Sequence, residues 1–169
     1  YFSVVGAADY DQDGDDDLFV GGRMTPGDYA SVPASRLLQN DGGTFSDVTV
    51  AIAPKLEKAG RITAALWTDA DNDGDLDLAV VGEWMPFTVF YNQNGRLSPK
   101  EVAGSEGWWN SLTGADLDND GDMDYIAGNH GLNSIFKASP EEPLTLLSGD
   151  FDGNGKKEPL VFKLFLIHI

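Results

Sequence analysis

Four short segments of the chain place acidic side chains at alternating positions, a spacing that suits the binding of a metal ion. They comprise residues 9–17, 69–77, 116–124 and 150–158, called loops 1 to 4 below, and each fits the pattern D-x-D-x-[DN]-G-x-x-[DE]. A chain that curls around a hard cation can direct the side chains at positions 1, 3, 5 and 9 of such a loop inward. Glycine at position 6 permits the sharp turn, and the carbonyl at position 7 adds a further oxygen. The pattern therefore predicts a small cage of oxygen ligands in each loop.

The all-oxygen composition of these cages predicts calcium as the bound ion. Ca²⁺ takes about six to eight oxygen ligands, whereas Mg²⁺ gives up its water too reluctantly to favour such a site. The chain has no cysteine and only 2 histidines, so it lacks the ligands for zinc or copper chemistry. The sequence thus predicts three to four Ca²⁺ sites.

An EF-hand and a plain polar turn both fit the acidic loops less well than such a cage does. EF-hand loops share the first six positions but end in glutamate at position 12, where this chain has only apolar residues, namely Val20, Val80, Ala127 and Val161. Polar turns rich in aspartate and glycine would account for one copy of the motif but not for four copies in register. Without a metal, each close pair of carboxylates would cost about 1 kcal/mol even when solvated. We therefore expect an ion among the carboxylates.

The negative charge of the chain is concentrated in the loops. Of the 28 acidic residues, 19 lie in loops 1 to 4, and the nine acidic residues elsewhere are balanced by nine basic ones, although the net charge is −17. No basic patch exists to neutralise phosphates, which excludes nucleic acid as a partner. No apolar run is long enough to span a bilayer, so the chain is not expected to be membrane-embedded. Arg23, Arg36 and Arg61 are predicted to pair with the acidic loops.

Short apolar runs flank every loop and predict an all-β fold. The runs before the loops cover residues 3–8, 62–68, 111–115 and 144–149, and those after them cover 18–21, 78–82, 125–128 and 160–162. They are rich in β-prone residues and show little polar alternation, which indicates strands buried on both faces. Each loop should therefore join two consecutive strands of one sheet. The only helical candidate is 51–59, and the end of the chain, 162–169, is predicted to be a strand.

A second hairpin follows in the first two repeats and completes a four-stranded unit. Residues 37–45 match residues 89–97, with Asn40 and Gly43 of the first corresponding to Asn92 and Gly95 of the second. Such Asn- and Gly-rich turns are typical of tight hairpins. The unit is one β-propeller blade, and the repeats fall at approximately 1–50, 60–103, 108–140 and 143–169 of a single domain spanning 1–169. This gives about three and a half four-stranded blades.

The tryptophans are the other residues with binding potential. Trp108 and Trp109 form a weak candidate for a ligand-binding site, because paired aromatic rings can stack on sugars. The preferred interpretation is that one of them packs between blades and the other covers a blade edge. Trp67 and Trp84 fall in strand runs and are predicted to belong to the core. His130 has no acidic or nucleophilic neighbour in sequence, so a turn residue is the preferred interpretation.

The loops and the runs that follow them, "DLFVGG", "DLAVVG" and "DYIAG", resemble FG-GAP/VCBS repeats. That family forms the calcium-binding β-propeller of integrin α-subunits and of many bacterial secreted proteins. The layout "LLQNDGGTFSDVT" after "DYDQDGDDDLFVGG" is similar to the cartilage-acidic-protein-like (ASPIC/UnbV-type) branch. The resemblance implies that the chain is a fragment of a seven-bladed propeller that cannot close a ring alone, so self-association of the incomplete propeller is one expected partner interaction.

The resemblance also implies a set of metal ligands in each loop. Positions 1, 3, 5 and 9 would bind through side chains and position 7 through its carbonyl, with the fourth loop the weakest because Asn154, Lys156 and Lys157 reduce its negative charge. The implied ligands are Asp9, Asp11, Asp13, Asp15 and Asp17 in loop 1; Asp69, Asp71, Asp73, Asp75 and Asp77 in loop 2; Asp116, Asp118, Asp120, Asp122 and Asp124 in loop 3; and Asp150, Asp152, Asn154, Lys156 and Glu158 in loop 4.

These features predict a calcium-binding, non-catalytic interaction or scaffold module. Both ends of the chain look cut, so it is expected to be a fragment of a secreted or cell-surface bacterial protein whose targeting signal lies elsewhere, with protein or glycan partners. The long connector 21–33 is the expected variable contact surface. The sequence contains no nucleophile elbow, zinc-protease motif or credible catalytic triad. The alternative is the propeller portion of a glycan-degrading or lyase-type enzyme.

Overall fold

Antiparallel strands dominate the computed structural model, which describes residues 1–139 and 141–163. One turn of α-helix, α1, spans Thr49–Ile52, and 3₁₀ turns span Leu56–Lys58 and Gly131–Asn133. None of the helices in the described ranges is long and apolar enough to cross a membrane. The strands are β1 (Phe2–Ala8), β2 (Asp17–Gly22), β3 (Arg36–Asp41), β4 (Thr44–Asp47), β5 (Arg61–Thr68), β6 (Asp77–Met85), β7 (Thr88–Gln93), β8 (Arg96–Glu101), β9 (Gly107–Ala115), β10 (Asp124–Asn129), β11 (Leu144–Gly149) and β12 (Glu158–Lys163).

The first two repeats form four-stranded blades. Strands β1 to β4 pair in chain order, and strands β5 to β8 do the same. The third and fourth repeats contribute the hairpins β9–β10 and β11–β12, and β9 also pairs with the end of β6. These antiparallel sheets confirm the predicted all-β class of propeller blades. Over the described residues, these sheets do not close into a ring.

Each acidic loop joins the two strands of a hairpin in the same register. The residue before position 1 pairs with the residue at position 9 in all four hairpins: Ala8 with Asp17, Thr68 with Asp77, Ala115 with Asp124, and Gly149 with Glu158. The opposite ends of the first three hairpins are the pairs Phe2–Gly22, Arg61–Glu83 and Trp109–Asn129. All the loops therefore emerge from the same end of their hairpins, as expected for a repeat architecture.

The hydrophobic core lies in the first two blades and between them. Phe19, Leu37 and Phe90 are among its fully buried side chains, each contributing about 1.5–3 kcal/mol of transfer free energy. Tyr10, from loop 1, stacks on Trp67 of the second blade with ring centroids 6.0 Å apart. Blade-on-blade packing therefore continues into the loops.

Burial on both faces, predicted for all the flanking strands, holds for only some of them. Strand β6 is buried along almost its whole length, and its neighbour β5 contacts both the first blade and strand β9. Strand β1 instead exposes Phe2 and Val5, each with 62% of its surface accessible. An apolar run thus predicts the strand but not the number of its covered faces.

The helix predicted for 51–59 is wrong in extent. The structure has α1 over Thr49–Ile52 and a separate 3₁₀ turn over Leu56–Lys58. Pro54 lies between them. Proline lacks an N–H and disfavours helical geometry in the residue before it. Ala53, the residue before Pro54, accordingly has a non-helical conformation, with φ −135° and ψ 60°. The strand predicted for 162–169 continues β12 to Lys163, and its remainder lies outside the described residues.

The arginines do not pair with the acidic loops as the sequence predicted. Arg23 and Arg61 both approach Glu83, and Arg36 contacts Asp47 and Glu57. The register explains the difference for Arg61, because β5 begins at Arg61, at the end of its hairpin away from the loop. The carboxylates of the loops are therefore left without these cationic partners.

Candidate metal centres

Every acidic loop gathers three carboxylates whose oxygen atoms lie within 4.8 Å of one another. These groups contain positions 1 and 3 of every loop, together with position 5 in loop 1 and position 9 in the other three. The members are Asp9, Asp11 and Asp13; Asp69, Asp71 and Asp77; Asp116, Asp118 and Asp124; and Asp150, Asp152 and Glu158. Such oxygen-only groups match the donor preference of a hard cation.

The side chain at position 1 shapes the loop. In loop 1, Asp9 accepts hydrogen bonds from the backbone N–H groups of Asp13 and Gly14, both at 3.0 Å. Asp69, Asp116 and Asp150 accept the corresponding bonds in loops 2, 3 and 4. The turn then needs a positive φ at position 6, where the four glycines have values of 83° to 97°. This explains why glycine occupies that position.

The acid at position 9 anchors the loop to its blade. Asp17 accepts hydrogen bonds from the N–H groups of Tyr10 and Asn40, at 3.3 and 2.8 Å. Asp77 does the same with Ala70 and Asn92, at 2.9 and 2.7 Å. Burial raises the pKa of both carboxyls, and the backbone donors oppose that rise. A nearby cation would favour the charged form that these bonds require.

The side chains at position 3 provide the best test of whether an ion fits. Oδ1 of Asp11 is buried and has no hydrogen-bond partner among the described residues, while its Oδ2 accepts a bond from Gln39 at 2.6 Å. The pKa of Asp71 is raised by desolvation and then by the carboxylates of Asp73 and Asp69. A buried, unpaired carboxylate oxygen among other carboxylates is costly unless a cation accompanies it. The residues present therefore fit a divalent ion.

Positions 5 and 7 are brought together by hydrogen bonds. The side chain at position 5 accepts the N–H of position 7 in every loop, as Asp13 does from Asp15 at 3.0 Å; the others are Asp73 from Asp75, Asp120 from Asp122, and Asn154 from Lys156. Only in loop 1 does position 5 belong to the group of close carboxylates. Metal binding through these residues stays a prediction.

The two adjacent tryptophans have different surroundings. Trp108 packs against Trp84, with ring centroids 5.5 Å apart, and against His130, at 5.3 Å. Trp109 instead donates its indole N–H to the carbonyl of Ser105 at 2.9 Å. Trp84, predicted to belong to the core, is part of this half-buried aromatic group and has a φ of 61°, an unusual value for a bulky residue. His130 precedes a 3₁₀ turn, in line with its expected turn role.

The connector 21–33 adds Tyr29 to this end of the blades. The Tyr29 hydroxyl accepts a hydrogen bond from the indole of Trp84 at 3.3 Å and donates one to Glu83 at 3.0 Å. Its ring covers the guanidinium of Arg61 at 3.5 Å, and only 3% of Arg61 is exposed. We call Tyr29, Trp84, Trp108 and His130 the aromatic surface; it lies at the end of the strands away from the acidic loops.

Sequence reasoning missed the buried asparagine between the first two blades. The side chain of Asn92 donates hydrogen bonds to the carbonyl of Tyr10 at 2.7 Å and to that of Leu76 at 3.2 Å. Its Oδ1 accepts the N–H of Gly95 at 2.9 Å. The Asn-to-Gly spacing signalled this last, local bond, but no sequence signal pointed to the bond with loop 1.

Comparison with known families agrees with this geometry. The family model for the FG-GAP-like repeat matches residues 9–80 and again residues 69–127, so that its matches together span more than half of the chain. Comparison with curated proteins finds no match to this chain. The narrower ASPIC/UnbV-type resemblance stays a prediction. Given two overlapping matches, each of which begins at one acidic loop and ends in the strand after the next, the chain belongs to the FG-GAP-like repeat family.

Proposed function

We propose that this chain is a calcium-binding, non-catalytic interaction or scaffold module of a secreted or cell-surface bacterial protein. The observation that carries the proposal is the same acidic cluster, with the same backbone hydrogen bonds, at the head of four successive hairpins. Membership of the FG-GAP-like repeat family supports it, because that family's propellers are interaction modules. We infer binding in place of catalysis, because each group of close carboxylates lies in one of the proposed metal-binding loops.

Different positions of each loop have different roles in binding the ion. Position 1 fixes the turn, and position 9 ties loops 1 and 2 to their blades. Position 3 supplies further carboxylate oxygens, of which Oδ1 of Asp11 is buried and has no hydrogen-bond partner among the described residues. Ca²⁺, when bound, supplies the positive charge that offsets the repulsion among these carboxylates. An affinity of roughly 10⁻⁴–10⁻³ M, typical of extracellular modules, would suit an extracellular location.

A calorimetric titration tests the calcium site directly. Protein freed of metal with a chelator should bind three to four equivalents of Ca²⁺, with loop 4 the weakest, and its melting temperature should rise as the sites fill. Mg²⁺ at the same concentration serves as the control and should give a much smaller rise. No heat of binding and an unchanged melting temperature would overturn the proposal.

We propose that the aromatic surface is where the module contacts a protein or glycan partner. It combines half-buried rings, a side chain from the long connector, and an unusual backbone conformation at Trp84. Aromatic side chains with one polar edge are typical of recognition surfaces. Strained residues often mark binding sites as well.

A glycan array probed with the wild-type chain and with Trp108→Ala tests this surface. Binding that is lost in Trp108→Ala but retained in Phe45→Ala, an exposed aromatic residue on β4, would support the proposal. Equal binding by both variants would contradict it. Release of cleaved sugar by the wild-type chain would instead support the enzyme alternative.

A further inference from the structure

Position 4 of the acidic loops is left free by the sequence motif, yet in two loops it contacts the next loop along the chain. Gln12 of loop 1 donates a hydrogen bond from its side-chain amide to the carboxylate of Asp75 in loop 2, at 2.8 Å. Asn72 of loop 2 donates the equivalent bond to Asp122 in loop 3, at 2.6 Å. Both acceptors occupy position 7. The same contact therefore occurs at two successive steps of the repeat.

Each of these amides also reaches the backbone of the next loop. The Gln12 amide lies 3.4 Å from the carbonyl oxygen of Gly74, and the Asn72 amide lies 3.4 Å from that of Gly121. The amide thus holds the peptide group between positions 6 and 7 as well as the side chain at position 7. Since position 7 supplies the predicted carbonyl ligand, the contact orients a part of the next loop that matters for metal binding.

The backbone at position 4 is held in a left-handed conformation. Its φ is 61° in Gln12, 59° in Asn72 and 62° in Asn119, while loop 4 has Gly153 with a φ of 76°. Asparagine and glycine tolerate this region better than most residues. Glutamine does not share that tolerance, so its presence in loop 1 is better explained by the reach of its side chain to loop 2.

The series of contacts between successive loops ends at loop 3, because position 7 of loop 4 has no side-chain acceptor. Position 7 of loop 4 is Lys156, a cation that cannot accept a hydrogen bond from an amide N–H through its side chain. In the described parts of the chain, no hydrogen bond joins Asn119 to loop 4. At the other end, Asp15 of loop 1 accepts the N–H of Gly42, from the β3–β4 turn of its own blade, at 2.8 Å.

We propose that Gln12 and Asn72 are positioning residues of the metal centre in the loop that follows their own. The inference rests on the proposed calcium function and adds residues to it that the repeat motif does not contain. Its consequence is that loops 1, 2 and 3 form a linked series of sites, whereas loop 4 binds its ion independently. An amide that orients a ligand from outside the ligand set acts on affinity, not on stoichiometry.

A calcium titration followed by NMR separates the four loops in one experiment. The position-6 glycine amides of ¹⁵N-labelled protein, Gly14, Gly74, Gly121 and Gly155, report the filling of loops 1 to 4 individually. Gln12→Gly should weaken binding in loop 2 by about tenfold and leave loops 1 and 4 unchanged. Asn72→Gly is the matched control, since it should weaken loop 3 and leave its own loop 2 unchanged. Glycine is the chosen substitute because loop 4 already carries it at this position.

The outcomes distinguish this inference from the calcium proposal. If Gln12→Gly weakens loop 1 in place of loop 2, position 4 serves its own loop and the inference is overturned. Unchanged affinity in every loop of both variants overturns it equally, while the calcium proposal stands. Wild-type glycine amides that do not respond to calcium overturn both. In an Asp75→Ala background, Gln12→Gly should have little further effect on loop 2, because its main acceptor has been removed.

Discussion

Within a loop, single carboxylates have separable roles. At position 1, both carboxylate oxygens accept hydrogen bonds from backbone N–H groups of the same turn, as those of Asp69 do from Asp73 and Gly74. Position 3 accepts fewer of these bonds, for example one N–H at Asp118 and one at Asp152. Desolvation together with neighbouring carboxylates raises the pKa of Asp71, although a backbone hydrogen bond from Asp73 opposes the rise. The first residue therefore stabilises the loop itself, whereas the third has a favourable role only when a cation is present.

This difference predicts opposite effects for two neighbouring substitutions. Asp71→Ala should remove one Ca²⁺ equivalent and leave the melting temperature of the chelated protein unchanged or slightly raised, because it relieves repulsion with Asp69 and Asp73. Asp69→Ala, the matched variant, should also remove one equivalent but lower that melting temperature by about 2–4 °C, because two N–H groups lose their acceptor. Calorimetry and thermal melting in chelator measure both quantities. Equal melting temperatures for the two variants would contradict the division of roles.

Asp47 offers a pH-dependent prediction away from the metal loops. The hydroxyl of Thr49 lowers the pKa of its carboxyl most, and the Thr49 N–H and Arg36 add to this effect. A lowered folded-state pKa means that the charged form contributes stability above the unfolded value of about 3.9, and that this contribution is lost as pH falls through the folded pKa. The wild type should therefore be more stable than Asp47→Asn at neutral pH.

Urea unfolding of chelated protein at several pH values checks the sign. The difference in unfolding free energy between wild type and Asp47→Asn should stay constant from about pH 7 to pH 5 and shrink below about pH 4. The difference should be small, since the carboxylate is about half exposed, with 49% of its side-chain surface accessible. A difference that grows towards low pH would show that the carboxyl is not stabilised in its charged form.

The candidate ligands could be predicted from the sequence because the residue types of the motif determine the local backbone conformation of the loop. Glycine at position 6 signals a turn with positive φ, and the alternation of acids signals side chains that converge. The partners of position 4 could not be read in this way. Gln12 and Asp75 are 63 residues apart, and only the stacking of two blades brings them together.

At the scale of elements, one buried polar side chain links the first two blades. Asn92 is 1% exposed, lies in β7 of the second blade, and donates a hydrogen bond to the carbonyl of Tyr10 in loop 1. Asn40 occupies the equivalent place in the first blade and makes the same local bonds, to Gly43 and Asp16. The inter-blade bond is thus the main difference between the two asparagines.

Replacing these asparagines should show what the inter-blade contact contributes. Asn92→Ala should lower the unfolding free energy by about 2–3 kcal/mol, because it leaves three backbone groups, including the buried carbonyl of Tyr10, without their partner. Asn40→Ala, which lacks the contact between blades and is more exposed, should cost about 1 kcal/mol. Urea unfolding in calcium-saturated buffer measures both. Equal losses would indicate that the local turn, and not the link between blades, accounts for the effect.

The hairpins were the most predictable elements, and their surroundings were the least. Asn40 and Asn92 signalled the β3–β4 and β7–β8 turns because such turns depend on local backbone preferences. Pro54 carried a signal that divides the helical segment, although 51–59 was predicted as a single helical candidate. The pairing of Glu83 with Trp108, which adds β9 to the second blade, depends on long-range packing and has no local signature.

For the whole molecule, the uneven distribution of charge is the dominant electrostatic feature. The net charge is −17, and most of the acidic residues lie in loops at one end of the hairpins. Salt bridges of the described residues involve Glu83, Asp47, Glu57 and Glu142, and none involves a loop carboxylate. When calcium is absent, repulsion within and between the loops is therefore offset by hydrogen-bond donors and solution cations, without help from cationic side chains of the described residues.

This arrangement predicts that salt stabilises the metal-free protein far more than the calcium-loaded one. Raising NaCl from about 0.01 M to about 1 M shortens the screening length from about 30 Å to about 3 Å, and should raise the melting temperature of chelated protein by about 3–8 °C. Four bound Ca²⁺ ions would reduce the net charge from −17 to −9 and neutralise it where it is densest, so the saturated protein should respond little. Tetramethylammonium chloride is the control, because its bulky cation screens charge without entering the loops. Stabilisation by NaCl but not by this salt would indicate specific sodium binding, and an equal response with and without calcium would contradict the link between loop charge and stability.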